Sequence, residues 1–86
     1  MGSIFIIQGI LIYIYAFDHN PPHIHVRYAG TRTSISIENH VVHGSLPKRL
    51  QKIVIKWMDE HHDELVENWN RLKRMQDPYP VEPFEK

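Results

Sequence analysis

The spacing of apolar residues along this chain changes once, at Pro47, and that change constrains the fold more than any other feature. Before Pro47 the chain consists of short runs rich in Ile, Val, Tyr and Thr, separated by turn residues, a pattern typical of β-strands. After Pro47 the apolar residues recur at every third or fourth position, which is the period of an amphipathic helix. A block of strands followed by a block of helix predicts an α+β fold rather than alternating βαβ units.

Five strands are expected before Pro47, with turn residues such as Gly9 and Gly30 between them. They are Ile4–Ile7, Ile10–Phe17, His23–Tyr28, Thr31–Glu38 and a short Val41–Gly44. The connections are short, and short connections favour antiparallel neighbours. We therefore predict an antiparallel meander sheet of four to five strands.

Side chains alternate between the two faces of a strand, so the third and fourth strands each predict one apolar and one polar face. The apolar positions are Ile24, Val26, Tyr28, Thr33, Ile35 and Ile37. The polar positions are His23, His25, Arg27, Arg32, Ser34, Ser36 and Glu38. A sheet with one apolar face needs a second layer on that face, and the helical part of the chain can supply it.

The helical pattern extends from Pro47 to Met75 and would be about 43 Å long as a single straight helix, which is long for a domain of this size. We therefore expect a bend or break near His61–Asp63, with His62 or Asp63 beginning the second part. The prediction is one long bent helix, or two consecutive helices, packed on the apolar face of the sheet.

Two tryptophans and one histidine lie on the apolar stripe of this helical region. Trp57 and Trp69 are twelve residues apart, and we expect both to be core residues that pack on the sheet. His61 is expected to be a half-buried residue at the helix joint rather than a ligand.

A chain of 86 residues has room for one hydrophobic core. We expect residues 1–76 to form a single α+β domain. The tail, 77–86, carries three of the six prolines and predicts an extended Pro-rich C-terminal arm.

Composition excludes several classes of function. The chain has no cysteine, which excludes disulfides, thiolate metal sites and cysteine nucleophiles. Lys plus Arg and Asp plus Glu number 10 each, so any contact with nucleic acid has to be local. The apolar run Ile4–Phe17 has no basic residue before it and is too short to span a bilayer. We expect no membrane contact and a cytoplasmic location.

The segment Asp18–Arg27 is the most unusual part of the chain, because it places three of the 7 histidines around the rigid Pro21–Pro22 pair. His23 and His25 are two residues apart on a predicted strand and project from the same face. Two imidazoles can act as base and acid, and the guanidinium of Arg27 can stabilise an anionic phosphate. The candidate catalytic residues are His23, His25, Arg27 and His19, for a metal-independent, ribonuclease-type acid–base cleavage.

The same cluster allows two other interpretations. Imidazole and carboxylate also bind zinc and related ions, and the ligand set would be Asp18, His19, His23 and His25. The third ligand would have to come from a turn stiffened by two prolines, and the chain has no H-x-x-x-H helix or cysteine pair, so we expect neither a bound metal nor a cofactor. In the structural interpretation, the histidines cap backbone carbonyls or stack on Tyr, and Asp18 closes an Asx-turn with Asn20.

Basic residues cluster at both ends of the helical region. The first set, a candidate nucleic-acid-binding face, is Lys48, Arg49, Lys52 and Lys56. The second set is Arg71, Lys73 and Arg74. Such clusters are usually solvated helix faces, and they are also the kind of local patch that a neutral protein needs to bind RNA or DNA.

The string DHNPPHIHV, followed by GSLP and then by WMDEHHDELVENW, resembles a family of small bacterial proteins, the domain-of-unknown-function family 4160, with its D-H-x-P-P-H-x-H motif. The resemblance covers the chain up to about Asn70. The matching positions are Asp18, His19, Pro21, Pro22, His23, His25, Gly44, Leu46, Pro47, Trp57, His61, Glu64, Leu65 and Trp69.

Members of that family are often encoded in gene pairs that look like toxin–antitoxin modules. The resemblance therefore implies one component of a two-gene module, with the toxin as its candidate role. From the residues themselves, we expect the chain to bind a partner protein from an adjacent gene, and RNA or DNA, through the face of His19, His23, His25 and Arg27. The alternative is a non-enzymatic binding module or a structural homodimer, in which an edge strand pairs with a second chain.

Overall fold

The computed structural model describes residues 3–7, 9–14 and 21–76 and confirms the predicted α+β fold. The strands are β1 (Ser3–Ile7), β2 (Ile10–Ile14), β3 (His23–Tyr28), β4 (Thr31–Ser36) and β5 (Val42–Gly44). They form one sheet in the order β1-β2-β3-β4-β5, and all neighbouring pairs are antiparallel. The helices are α1 (Lys48–Glu60) and α2 (His62–Lys73). The edges of the sheet are β1 and β5, and the predicted homodimer through an edge strand stays a prediction.

The predicted fourth strand, Thr31–Glu38, is two residues too long. β4 ends at Ser36 because the chain turns there: His40 N donates to Ser36 O at 3.1 Å, and Val41 N donates to Ser36 Oγ at 3.0 Å. The Ser36 hydroxyl also donates to the Asn39 side chain, which closes the turn. Because Val41 takes part in this turn, β5 begins at Val42. The predicted extension of β2 to Phe17 falls outside the described residues.

The helical region breaks at His61, as predicted, and α2 begins at His62. The backbone of His61 departs from helical geometry (φ −119°, ψ 25°), although its N–H still donates to Trp57 O at 3.0 Å and its carbonyl accepts from Leu65 N at 2.9 Å. Two consecutive helices therefore share one residue at their joint. Pro47, expected in the first turn, is instead the N-cap residue of α1 (φ −54°, ψ 141°), so the helix starts one residue later.

The core lies between the apolar face of the sheet and the two helices. As predicted, Ile24, Val26, Thr33, Ile35 and Ile37 are buried. The helices contribute Leu50, Val54, Trp57, Met58, Leu65, Trp69 and Leu72. Both tryptophans are thus core residues, and the half-buried His61 lies at the joint with its ring centroid 5.5 Å from that of Trp57. None of the described helices is both long and apolar enough to cross a membrane.

The turn between β3 and β4 determines which side chains lie closest on the outer face, which is the polar face of the sheet. Ala29 and Gly30 both have positive φ (50° and 79°), the signature of a two-residue type I′ turn. In such a hairpin the flanking pair, Tyr28 and Thr31, is hydrogen-bonded, and the pairs then alternate along the ladder. All the outer-face pairs of β3 and β4 are therefore at non-hydrogen-bonded positions, where opposed Cα atoms are only about 4.5 Å apart.

Candidate functional site

The outer face of the sheet, opposite the helices, carries a row of side chains that crosses four strands. Tyr13 of β2 is the register partner of His25 of β3, which is the partner of Ser34 of β4, which is the partner of His43 of β5. Residues in register on adjacent strands face the same side of a sheet. Although His43 is far from His23 and His25 in the sequence, it therefore lies on the same face as both of them.

A groove lies above β4, because small side chains there are flanked by larger ones on both sides. Ser34 and Ser36 form its floor, His23 and His25 line one side, and His43 lines the other. The groove is open to solvent and has a volume of about 400 Å³. Its remaining lining residues are Pro21, Asn39 and Val41. The Ser34 hydroxyl and the imidazoles give it donors and acceptors.

His23 is held in one orientation by contacts on three sides. Its Nδ1–H donates to the carbonyl of Pro21 at 2.7 Å, because a carbonyl oxygen is only an acceptor. In the neutral ring this leaves Nε2 as the acceptor nitrogen. The ring centroid of His23 lies 5.3 Å from Trp69 and 5.0 Å from His25. The helix layer thus supports one side of the groove through Trp69.

His25 is packed between two aromatic neighbours. Its ring stacks on Tyr13 with centroids 5.2 Å apart and an interplanar angle of 13°, and it meets the edge of His23. The imidazole is half-buried, whereas Tyr13 is 8% exposed. Stacking of this kind fixes the ring plane without using its nitrogens.

Charge is segregated in this neutral protein. None of the five strands contains Asp or Glu, while β3 and β4 carry Arg27 and Arg32, which are exposed on the same face as the histidines. The acidic residues of the described region lie in the turn at Glu38 and on the two helices. The outer face is therefore a local positive surface, of the kind that zero net charge does not reveal.

The structure places His23, His25 and Arg27 on one face, as the alternation predicts, and their catalytic role stays a prediction. His19 and Asp18 fall outside the described residues. Sequence reasoning did not assign His43, Ser34, Ser36 or Arg32 to the site. Ser34, Ser36 and Arg32 were identified as polar-face residues, and only the strand register could have connected His43 to them.

The basic residues of the helices are not part of this face. Lys48, Arg49, Lys52 and Lys56 are all exposed on α1, which covers the opposite side of the sheet. At the end of α2, Arg71 lies 3.2 Å and Arg74 3.6 Å from the carboxylate of Glu67, and Lys73 lies over the Trp69 ring at 5.0 Å. The α2 cations are thus engaged in local contacts, and a nucleic-acid role for the α1 set stays a prediction.

Binding of a metal ion is the second chemistry that the histidine cluster predicts. Among residues 9–14 and 21–76, no group of three or more His, Asp or Glu side chains is arranged to hold a metal ion. The predicted fallback set also includes Asp18 and His19, which the structure does not describe. The described histidines alone therefore give no reason to assign a metal site.

Comparison with known proteins gives one match. A family model, Domain of unknown function (DUF4160), matches residues 9–70, which is more than half of the chain and includes β2 to β5, α1 and most of α2. No curated protein and no solved structure matches the chain.

Proposed function

The chain belongs to the family described as Domain of unknown function (DUF4160), and we propose that it binds single-stranded RNA as one component of a toxin–antitoxin-like two-gene module. The binding surface is the groove above β4 together with the arginines beside it. The partner protein of the module, encoded by the adjacent gene, would control access to this surface.

The charge of the sheet is the observation that supports RNA binding. Five strands with no carboxylate carry two arginines and three histidines, all on the polar face of the sheet. Phosphate is attracted to such a face, and acidic protein surfaces are the usual alternative partner. The stacked rings and the small groove favour a flexible single strand, since a duplex presents a stiff, convex surface that a groove of about 400 Å³ does not fit.

The Ser34 hydroxyl in the groove favours RNA over DNA. It can donate and accept a hydrogen bond, which suits the 2′-hydroxyl of ribose, whereas the Ser36 hydroxyl already donates to Asn39 and accepts from Val41 N. Imidazoles on both sides of the groove, at His25 and His43, are also the groups that metal-independent cleavage at a 2′-hydroxyl uses as base and acid. Such cleavage leaves 2′,3′-cyclic phosphate ends, which mass spectrometry of RNA incubated with the protein would detect.

The binding proposal predicts that His43→Gln weakens RNA binding by about 5-fold to 10-fold, because the imidazole ring, which can stack on a base and donate to a phosphate, is replaced by a flexible amide. His43 is exposed, so this change should leave the fold intact. The measurement is fluorescence anisotropy with a labelled octauridylate at low salt, where the wild-type protein should bind with a dissociation constant of about 10⁻⁶ to 10⁻⁴ M.

The matched control is His62→Gln, a histidine on α2 that does not line the groove. It should bind the octauridylate as the wild type does. RNA binding is wrong if the wild-type protein shows no binding at 50 mM salt, or if the two glutamine variants lose the same affinity.

The module proposal predicts a growth effect. Expression of this chain alone in a bacterial host should slow growth, because RNA bound or cut at the groove is withdrawn from use. His25→Ala should restore growth, since it removes the ring at the centre of the cross-strand row. Growth curves are compared at equal levels of protein in the supernatant fraction. Normal growth with the wild-type chain would contradict the toxin role without affecting the binding measurement.

A further inference from the structure

Two arginines face each other at the end of the outer face, one residue pair from the β3–β4 turn. Arg27 and Arg32 are register partners, and both are exposed. They occupy a non-hydrogen-bonded pair, where opposed side chains are closest. Like charges directly opposite each other on antiparallel strands destabilise the sheet.

Nothing in the described part of the chain compensates this repulsion. Neither the Arg27 nor the Arg32 guanidinium has a hydrogen bond or ion pair with a residue in 9–14 or 21–76, and the strands contain no carboxylate. The neighbour of Arg27 on β2 is Leu11, which is apolar, and β5 ends opposite Thr33, one residue short of Arg32. The two guanidinium groups therefore lie at an open corner of the sheet.

An anion between the two guanidinium groups would turn the repulsion into attraction. Each guanidinium offers five N–H donors in a planar fork, which matches phosphate oxygens in pairs. An arginine on each of two adjacent strands can contact one phosphate from both sides. This arrangement favours phosphate over a single carboxylate, which has fewer oxygens to share between two forks.

The arginine pair lies one step along the strands from the groove. Arg27 is two residues from His25, and Arg32 is two residues from Ser34, so each step is about 6.6 Å on the same face. Adjacent phosphates of an extended nucleic-acid strand are spaced over a similar distance. A strand with one phosphate at the groove would thus bring the next one to the arginines.

We propose that Arg27 and Arg32 form a second phosphate subsite, which holds the phosphate next to the one in the groove and aligns the RNA strand along β3 and β4. This inference rests on the proposed RNA binding for its ligand, and on the opposed arginines for its position. It assigns to Arg32 a role that alternation along a single strand did not indicate.

The test compares ligands with one and two phosphates. The probes are uridine 3′-monophosphate and the dinucleotide UpUp with a 2′-O-methyl group on its first ribose, which prevents cleavage at the internal phosphate. For the wild-type protein the second phosphate should raise affinity about tenfold, and in Arg32→Gln this gain should fall to about twofold or less. With octauridylate, the slope of log affinity against log salt should decrease by about 0.7 in the variant.

Arg74→Gln is the matched control, because Arg74 is an exposed arginine at the end of α2 that pairs with Glu67 and lies outside both the groove and the α1 basic set. It should keep the full gain from the second phosphate. A second measurement is independent of RNA: inorganic phosphate at 50 mM should raise the melting temperature of the wild type more than that of Arg32→Gln, which keeps only the groove. Without phosphate, the variant should melt about 1–5 °C higher than the wild type, because the like-charge repulsion is gone.

The results separate the subsite from the proposed function. If the wild type binds RNA and Arg32→Gln keeps the tenfold gain, the subsite is wrong and RNA binding stands. If RNA does not bind but inorganic phosphate stabilises the wild type more than Arg32→Gln, the subsite is correct and the ligand is a different phosphate compound. Equal stabilisation of both proteins by inorganic phosphate would overturn the subsite.

Discussion

Replacing Gly44 by alanine is expected to lower the free energy of unfolding by about 3–5 kcal/mol, since it combines backbone strain with overpacking. Gly44 has a φ of +142°, which side chains rarely allow. A Cβ atom there would lie 2.6 Å from Thr33 Oγ1, 2.7 Å from Arg32 O and 2.7 Å from Thr33 Cα. Two of these atoms belong to the backbone, so they can move only if β5 separates from β4.

The clash at Gly44 also reaches the start of the helices. Thr33 Oγ1 accepts a hydrogen bond from Leu46 N at 3.1 Å, and it would be displaced by the new methyl group. Leu46 directly precedes the N-cap residue of α1, Pro47. The same change should therefore disorder one side of the groove, because His43 is on β5.

The control for Gly44 is Gly30→Ala. Gly30 also has positive φ (+79°), but a Cβ there would meet nothing within 4 Å. This change should cost only about 1–2 kcal/mol, the strain of a left-handed conformation for a residue with a side chain. Urea unfolding followed by circular dichroism measures both variants. If the two alanine variants lose the same stability, the close packing of β5 on β4 is wrong.

Trp57→Ala should lower the free energy of unfolding by about 3–5 kcal/mol, as large-to-small changes of buried aromatic residues do. Trp57 is 1% exposed and is the largest fully buried side chain of the described core. The loss is comparable to the whole stability of a small domain, about 5–15 kcal/mol. Much of the variant should therefore be unfolded at 37 °C, and thermal unfolding followed by circular dichroism measures the shift.

The control for Trp57 is Met75→Ala. Met75 is 74% exposed, and its replacement should change stability by less than about 0.5 kcal/mol. The ring of Trp57 also lies 5.5 Å from that of His61, so replacing Trp57 should make the joint between α1 and α2 more mobile. A melting temperature for Trp57→Ala close to that of Met75→Ala would contradict the position of Trp57 in the core.

Local patterns were sufficient to predict most of the secondary structure. Alternation over His23–Tyr28 predicted both the strand and its two faces, because a pleated strand has a period of two. The helical period predicted α1 and α2, and the excessive length of a single helix predicted the break at His61. The end of β4 was misplaced because the Ser36 and Asn39 side chains close a turn that hydrophobic spacing does not encode.

The candidate site was predictable only where its residues are neighbours on one strand. His23, His25 and Arg27 share a face through local geometry alone, and the sequence indicated them. His43 and the opposition of Arg27 to Arg32 depend on which residues of different strands are paired. That pairing follows from the two-residue turn at Ala29 and Gly30 and from the turn after Ser36, each of which could have held the strands in another register.

The sequence by itself determined the fold class, the order of the strands and helices, and the faces of β3 and β4, because these follow from short-range periodicity. Only the tertiary structure decided that three histidines surround one groove, that Trp69 supports His23 from the helix layer, and that the basic residues of α1 lie on the other side. The physical reason is that strand register and layer packing depend on contacts between residues far apart in the chain, and spacing along the sequence carries little information about such contacts.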